Sequence, residues 1–476
     1  MASSTGETAP GSSSPAVAIA APPPATPMEV KMGAGLLAAA ACSGTFNKLE
    51  SLLDGQAAAP SNGTVGNLAV QSASPPGDEE AFLRESLVYA VTAGGDTLLH
   101  VVAATTSYHE DFLKKAGFIY GKAPDLLFMQ NSRGDTPLHC AARMANIQMV
   151  SLLIDLARGE DGSTNRVKAL LRTENKINET ALHAAAKSCF IGQYKVVKLL
   201  MEEDSQLASF PKDGTSPLYL AILLQRKSIT KTLYELSDGV LSYSGPNGQN
   251  ALHAAVLRGK EMLLEWNKAL TIQQDENGST PLHLVASVLG QSDRRTIRAL
   301  LLEANPDALY QPDNNGLFPI HVAASVDATL VIRDFLKKSS RCAGLRNARG
   351  RTFLHIAVDK MHIHTVGSAC RNRSLSWILN MQDNDGNTAL HLAIQRGGLT
   401  MFCALFGNRQ VSLNLTNEKG ETALDIARCN LPKHGLYYNQ VIYMLGYFSF
   451  KQRNCDLCCS SLFIFILQNS EAKIHL

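Results

Sequence analysis

Gly134–Ala142 reads GDTPLHCAA, and variants of this stretch return along most of the chain. Upstream stands GDTLLHVVA (Gly95–Ala103). Downstream come NETALHAAA (Asn178–Ala186), GTSPLYLAI (Gly214–Ile222), GQNALHAAV (Gly248–Val256) and GSTPLHLVA (Gly278–Ala286). GLFPIHVAA (Gly316–Ala324), GRTFLHIAV (Gly350–Val358), GNTALHLAI (Gly386–Ile394) and GETALDIAR (Gly420–Arg428) complete the set. Marked by the His position, the copies fall at 100, 139, 183, 219, 253, 283, 321, 355, 391 and 425. The steps between them are 39, 44, 36, 34, 30, 38, 34, 36 and 34 residues. Such a chain is one extended array rather than a string of separate globular domains.

Each position of the motif has a physical role. Gly134 supplies the positive φ of a tight hairpin. Thr136 is placed as an N-cap, its hydroxyl serving an orphan backbone N–H for about 1 kcal/mol. Pro137 follows at the first helical position, where a missing N–H costs nothing. Leu138, Ala141 and Ala142 form an apolar face small enough for a neighbouring helix to approach. A single unit cannot bury that face, and stacked units bury it continuously. A period of about 33 residues around T-P-L-H resembles the ankyrin repeat. The expected fold is an all-α ankyrin-repeat solenoid of helix-turn-helix units with short hairpin fingers. A disordered N-terminus and an irregular C-terminal tail are expected to flank it.

Composition narrows the function. A net charge of +2 in 476 residues gives no nucleic-acid or polybasic membrane footprint. No Lys or Arg precedes Lys31, so the basic start of a signal or transit peptide is missing. Ten cysteines are thinly spread, with Cys140, Cys189 and Cys403 expected inside repeat helices, which reads as reduced packing residues.

In chain order, residues 1–31 are Ala/Pro/Ser-rich and expected to be disordered. Residues 32–55 read as a degenerate first repeat without its T-P-L-H turn, and 56–79 as a flexible linker. The array proper is expected over 80–430, with about ten repeats. Its long steps hold a polar loop around Arg158–Arg166 and a segment around Tyr108–Gly121. The 30-residue step after His253 looks too short for a full outer helix, and HIHTVGSACRNRS after His355 reads as a weak one. Beyond 431 the chain turns apolar and Cys-rich. VIYMLGYFSF (Val441–Phe450) and LCCSSLFIFIL (Leu457–Leu467) are each too short to span a bilayer, so no transmembrane helix is expected.

From Asp383 to Arg428 the chain reads DNDGNTALHLAIQRGGLTMFCALFGNRQVSLNLTNEKGETALDIAR. This is similar to the last repeats of the plant ankyrin-repeat/PGG-domain family, the accelerated-cell-death type. The Ala/Pro/Ser-rich N-terminus, the degenerate first repeat and FPIHVAA (Phe318–Ala324) are similar too. The resemblance implies a cytosolic array at the plasma membrane, in defence signalling and cell-death control. No Pro-Gly-Gly triplet occurs, and the family's membrane segments are absent. The stretch after Tyr438 therefore reads as a truncated or alternatively spliced end, and membrane contact as indirect.

The residues assemble no catalytic or metal-binding pattern. The histidines recur one per repeat, as a ladder that does not converge, so a structural role in tying one turn to the next is expected. Tyr219 and Asp425 in two of those slots suit such a role. Cys455, Cys458 and Cys459 resemble half a zinc site without a second pair. No enzyme, metal or cofactor is expected. What remains is a binding surface. Ankyrin arrays resemble one another in holding a protein partner in a concave groove of fingertips and inner helices. The resemblance places the tips at Asn131, Arg133, Asp135, Lys176, Asn178, Lys212, Asp213, Asp275, Glu276, Arg349, Arg351, Asp383, Asp385, Glu418 and Lys419. Their signs are mixed, and Asp and Asn are also what such turns require. The expected function is a cytoplasmic, non-enzymatic scaffold for protein partners, full-length family members included. The alternative is the cytosolic part, or a truncated form, of a membrane-associated ankyrin/PGG protein.

Overall fold

The computed structural model describes residues 45–54, 88–106, 110–211, 214–258, 267–288, 294–430 and 436–450. The stretch 1–31, the first half of the degenerate repeat, the linker 56–79, the segment 259–266 and the end of the tail lie outside them. Two compact units are present. One comprises Met1–Ala141 with Gln148–Ser163, the other Ala142–Ile147 with Thr164–Leu476. Among the described residues the regular elements are helices, and extended pairing is limited to isolated bridges such as Gln382 with Thr388.

In the larger unit a short inner helix alternates with an outer one. Ala389–Gln395 and Leu399–Phe406 show how the residues dictate this. Thr388, extended at φ −83, starts the inner helix, and its hydroxyl accepts from the His391 N–H. Leu390, Ala393 and Ile394 are fully buried against neighbours. The helix ends where the chain turns left-handed six residues after the His position. That turn falls at Gln225 (φ 60), Asp327 (φ 56), Met361 (φ 63) and Gly397 (φ 72), so only one of the four is a glycine.

After most outer helices a 3₁₀ turn returns the chain towards the next finger. One of these turns, Ser340–Gly344, has no side-chain cap at Ser339, whereas four others, Ser205–Ser209, Lys268–Thr271, Pro306–Tyr310 and Arg373–Ile378, share one pattern. Each is capped by an Asp or Asn, at Asp204, Asn267, Asn305 and Asn372, whose side chain accepts from the N–H two residues on. In the smaller unit, Phe46–Asp54 lies against Glu110–Lys122. Leu49 is fully buried there, and Phe46 meets Phe118 edge-on at 5.7 Å.

Several expectations change. Most of the Tyr108–Gly121 insertion is the long outer helix Glu110–Lys122, while the polar loop expected around Arg158–Arg166 is a turn over 159–163 that leads into the helix Thr164–Arg172. The weak outer helix after His355 does form, as Ile363–Arg371. Its deficit of large apolar residues is offset by polar ties. Asp327 accepts from both the N–H and the hydroxyl of Thr365 (3.0 and 2.7 Å), and His362 Nε2 meets the Ser325 carbonyl at 2.9 Å. Cys189 is exposed in a loop, not in a helix. The expected irregular tail begins as a helix, Leu436–Phe450, which packs Val441, Met444 and Leu445 against the last repeat. Alternation of inner and outer helices therefore continues past residue 430.

Candidate protein-interaction surface

The hairpins are built on a side chain eight residues before the His position. Asp383 Oδ1 accepts from the backbone N–H of Asp385 (3.1 Å) and Asn387 (2.9 Å). Asn417 does the same for Lys419 and Glu421, Asn347 for Arg349 and Arg351, and Asp313 for Asn315 and Leu317. Asp275, Asn175 and, in the smaller unit, Asn131 repeat the bracket. One short acceptor thus satisfies the two N–H groups that a tight turn leaves bare.

Consecutive fingers are then joined. Asn384 N–H donates to the Arg349 carbonyl, Glu418 N–H to Asp385, and Asn314 N–H to Asn277, each at 3.0 Å. A Cβ on Gly386 would lie 2.6 Å from the Glu418 nitrogen, so the hairpins approach more closely than any side chain permits.

Behind the fingers runs the histidine ladder. The Thr352 N–H donates to His355 Nδ1 at 3.2 Å, which leaves Nε2 as the protonated nitrogen, donating to the Asn387 carbonyl of the next hairpin at 3.1 Å. His253 reaches Ser279, and His283 reaches Leu317, in the same way. In the smaller unit His100 reaches Asp135 at 2.8 Å. At Phe318 the Thr hydroxyl is lost, and only the backbone N–H to His321 Nδ1 remains, at 3.1 Å. Tyr219 fills its slot by donating to Gln249 at 2.7 Å, and Asp425 by accepting from the Thr422 hydroxyl at 2.6 Å. Burial holds His321 and His355 down to about 4, so the rings are neutral at physiological pH. Burial also pushes the Cys342 thiol up to about 12 and Cys403 to about 11, which suits packing rather than thiolate chemistry. Among the described residues no group of three His, Cys, Asp or Glu is arranged to hold a metal.

The expected fingertip residues separate into two kinds. Asn131, Asp135 and Asp383 are buried, and Asp275 is half-buried. Three of these four are turn brackets, and Asp135 pairs with Arg133 at 3.3 Å. Arg351 is drawn inward between Asp383 (3.2 Å) and Asp359 (3.9 Å). Arg133 in the smaller unit, and Lys176, Asn178, Glu276, Arg349, Asp385, Glu418 and Lys419 in the larger, are exposed at the tips. Lys212 and Asp213 lie outside the described residues. One tip residue escaped the sequence reading. Ile177, beside Lys176, is 66% exposed. An isolated apolar residue between turn formers was its only signal.

With this geometry in view the class is clear. Residues 133–172 match the ankyrin repeat, 156–243 a model of three ankyrin copies, and 371–427 a model of many copies. The chain carries ankyrin repeats, an all-α repeat class that mediates protein–protein interaction. It is 23% identical to the ANK repeat-containing protein nipk-1 of Caenorhabditis elegans, over 50% of this chain and 37% of that protein. It is 25% identical to the human transient receptor potential cation channel subfamily A member 1, over 64% of this chain and 26% of the channel. The chain therefore spans well under half the length of either relative. No described helix is long and apolar enough to cross a membrane.

Proposed function

We propose that this protein is a non-enzymatic scaffold that holds a protein partner on the exposed tips of its hairpins. The observation that carries the reading is the division of labour within each finger. Backbone and bracket are locked by the Asp383-type acceptors and the finger-to-finger N–H bonds, while adjacent side chains such as Arg349, Asp385, Glu418 and Lys419 stand free of the fold's needs. A rigid display of variable side chains lowers the ordering cost of association. Alternating signs along the tips favour a partner of matching alternation over a polyanion.

The test is comparative capture by the full chain and by a variant carrying Arg349→Glu, Asp385→Lys and Lys419→Glu, with circular dichroism confirming equal folding. Loss of a defined partner in the variant supports the reading, and equal capture refutes it. A finer placement, in plant defence signalling beside membrane-anchored ankyrin/PGG relatives, is proposed from the resemblance of Asp383–Arg428 alone. Co-sedimentation with such a relative would support it, and its failure would leave the scaffold reading intact.

A further inference from the structure

The charge balance of the whole chain hides a strong local asymmetry. Residues 328–380 contain ten Lys and Arg against two Asp and no Glu, in a chain with 44 basic and 42 acidic residues overall. Both acids are engaged, Asp334 by Arg298 and, at 4.0 Å, by the neighbouring Arg333, and Asp359 by Arg351 and Arg396. The segment's positive charge is therefore largely uncompensated.

The same segment holds a groove of 280 Å³ between the outer helices Thr329–Lys338 and Ile363–Arg371, closed at one end by the turn Arg373–Ile378. It exists because the second helix faces it with the small side chains Thr365, Ser368 and Ala369. The floor is apolar, made of Ile332, Leu336, Phe353 and Leu375. Arg333 and Lys337, one helical turn apart, line it and are exposed to solvent. Arg341, Arg371 and Arg373 adjoin other lining positions in sequence and are exposed as well.

We infer that this groove is a second binding site, distinct from the hairpin tips, for an acidic peptide segment with a large apolar anchor. The anchor side chain fills the floor and gains the free energy of leaving water. Carboxylates on either side of it meet Arg333 and Lys337 at the rim. The apolar floor is what favours a peptide. A polyphosphate backbone is attracted by charge alone and has no use for a buried hydrocarbon surface. Rim charges of this kind govern association rate and salt dependence, while the anchor governs residence.

The test is fluorescence anisotropy of a labelled Asp-Glu-Glu-Leu-Phe-Asp-Glu-Glu peptide titrated with the full chain. Saturable binding that weakens between about 50 mM and about 0.5 M NaCl is expected. Arg333→Glu/Lys337→Glu weakens it by roughly tenfold or more, a scale set by reversing two rim charges. Ser368→Leu fills the groove from a half-buried position and weakens the same peptide without altering charge. A peptide with Ala-Ala in place of Leu-Phe binds at least roughly tenfold more weakly, in line with removal of a buried anchor. The fingertip variant Lys176→Glu/Lys419→Glu, both outside residues 328–380, binds the peptide as the natural chain does, which separates this site from the tips. Equal affinity for the Ala-Ala peptide, or unchanged binding by Ser368→Leu, overturns the proposal. Binding of phosphatidylserine vesicles or a poly-dT strand in preference to the peptide overturns it too, and points to a charge-only surface.

Discussion

Mild acid should loosen the array through its histidine ladder. Burial lowers His321 and His355 to about 4, opposed in part by the hydrogen bonds to the carbonyls of Leu345 and Asn387. In the unfolded chain both rings titrate near the ordinary value of 6.5. Between those values the unfolded state binds more protons, so stability is fully present above 6.5 and is lost as the pH falls towards 4. At pH 5 the linkage amounts to about 2 kcal/mol per ring, and at pH 4 to about 3 kcal/mol. His100, His253, His283 and His391 are lowered by burial in the same direction and add to the effect. Geometry explains the sign. A proton on Nδ1 collides with the donating N–H of Phe318 or Thr352. Urea unfolding followed by far-UV circular dichroism from pH 8 to pH 5 measures the loss in a range where most carboxylates stay ionised. The His321→Gln/His355→Gln variant, less stable at pH 8, should lose about 4 kcal/mol less across that range. Parallel pH slopes for the two proteins, or a midpoint that rises on acidification, would refute the reasoning.

Four further substitutions probe the fingers and turns. Gly386→Ala puts a Cβ 2.6 Å from the Glu418 nitrogen at a φ of 74, and should cost about 1–3 kcal/mol in urea unfolding. Asp383→Ala removes the acceptor of two backbone N–H groups and the partner of Arg351, for about 2–3 kcal/mol, whereas Glu418→Ala at an exposed tip should stay within about 0.5 kcal/mol. Gln225→Gly relieves an exposed left-handed residue at φ 60 and should raise the thermal midpoint, by about 0.5–1 kcal/mol in stability.

Much of the fold was legible because its signals are local. Thr352, Phe353 and His355 announce a cap, a first turn and a tether within a few residues, and the repeat multiplies that signal. The surface was less legible, because Asp and Asn serve two purposes. Asp383 and Asp385 stand two places apart in the same hairpin, yet one is buried as a bracket and the other is exposed at the tip. A period check separates them, since the bracket falls eight residues before the His position wherever an Asp or Asn stands there, as at Asn131, Asn175, Asp275 and Asn417, whereas Pro211 and Gly245 hold that place before Tyr219 and His253. The helix Ile363–Arg371 reads as weak in the sequence for another reason. Its support comes from Asp327 and Ser325, which lie more than thirty residues away in sequence.

By itself the sequence determined the class of the protein. The T-P-L-H copies encode cap, helix start and apolar face in contiguous residues, and contiguous chemistry needs no partner to be read. Tertiary structure decided which polar residues are free to bind and where the groove between outer helices opens. It also decided that Val441, Met444 and Leu445 join the last repeat. Those outcomes depend on which repeat packs beside which, and the burial of any one side chain is a property of its neighbours.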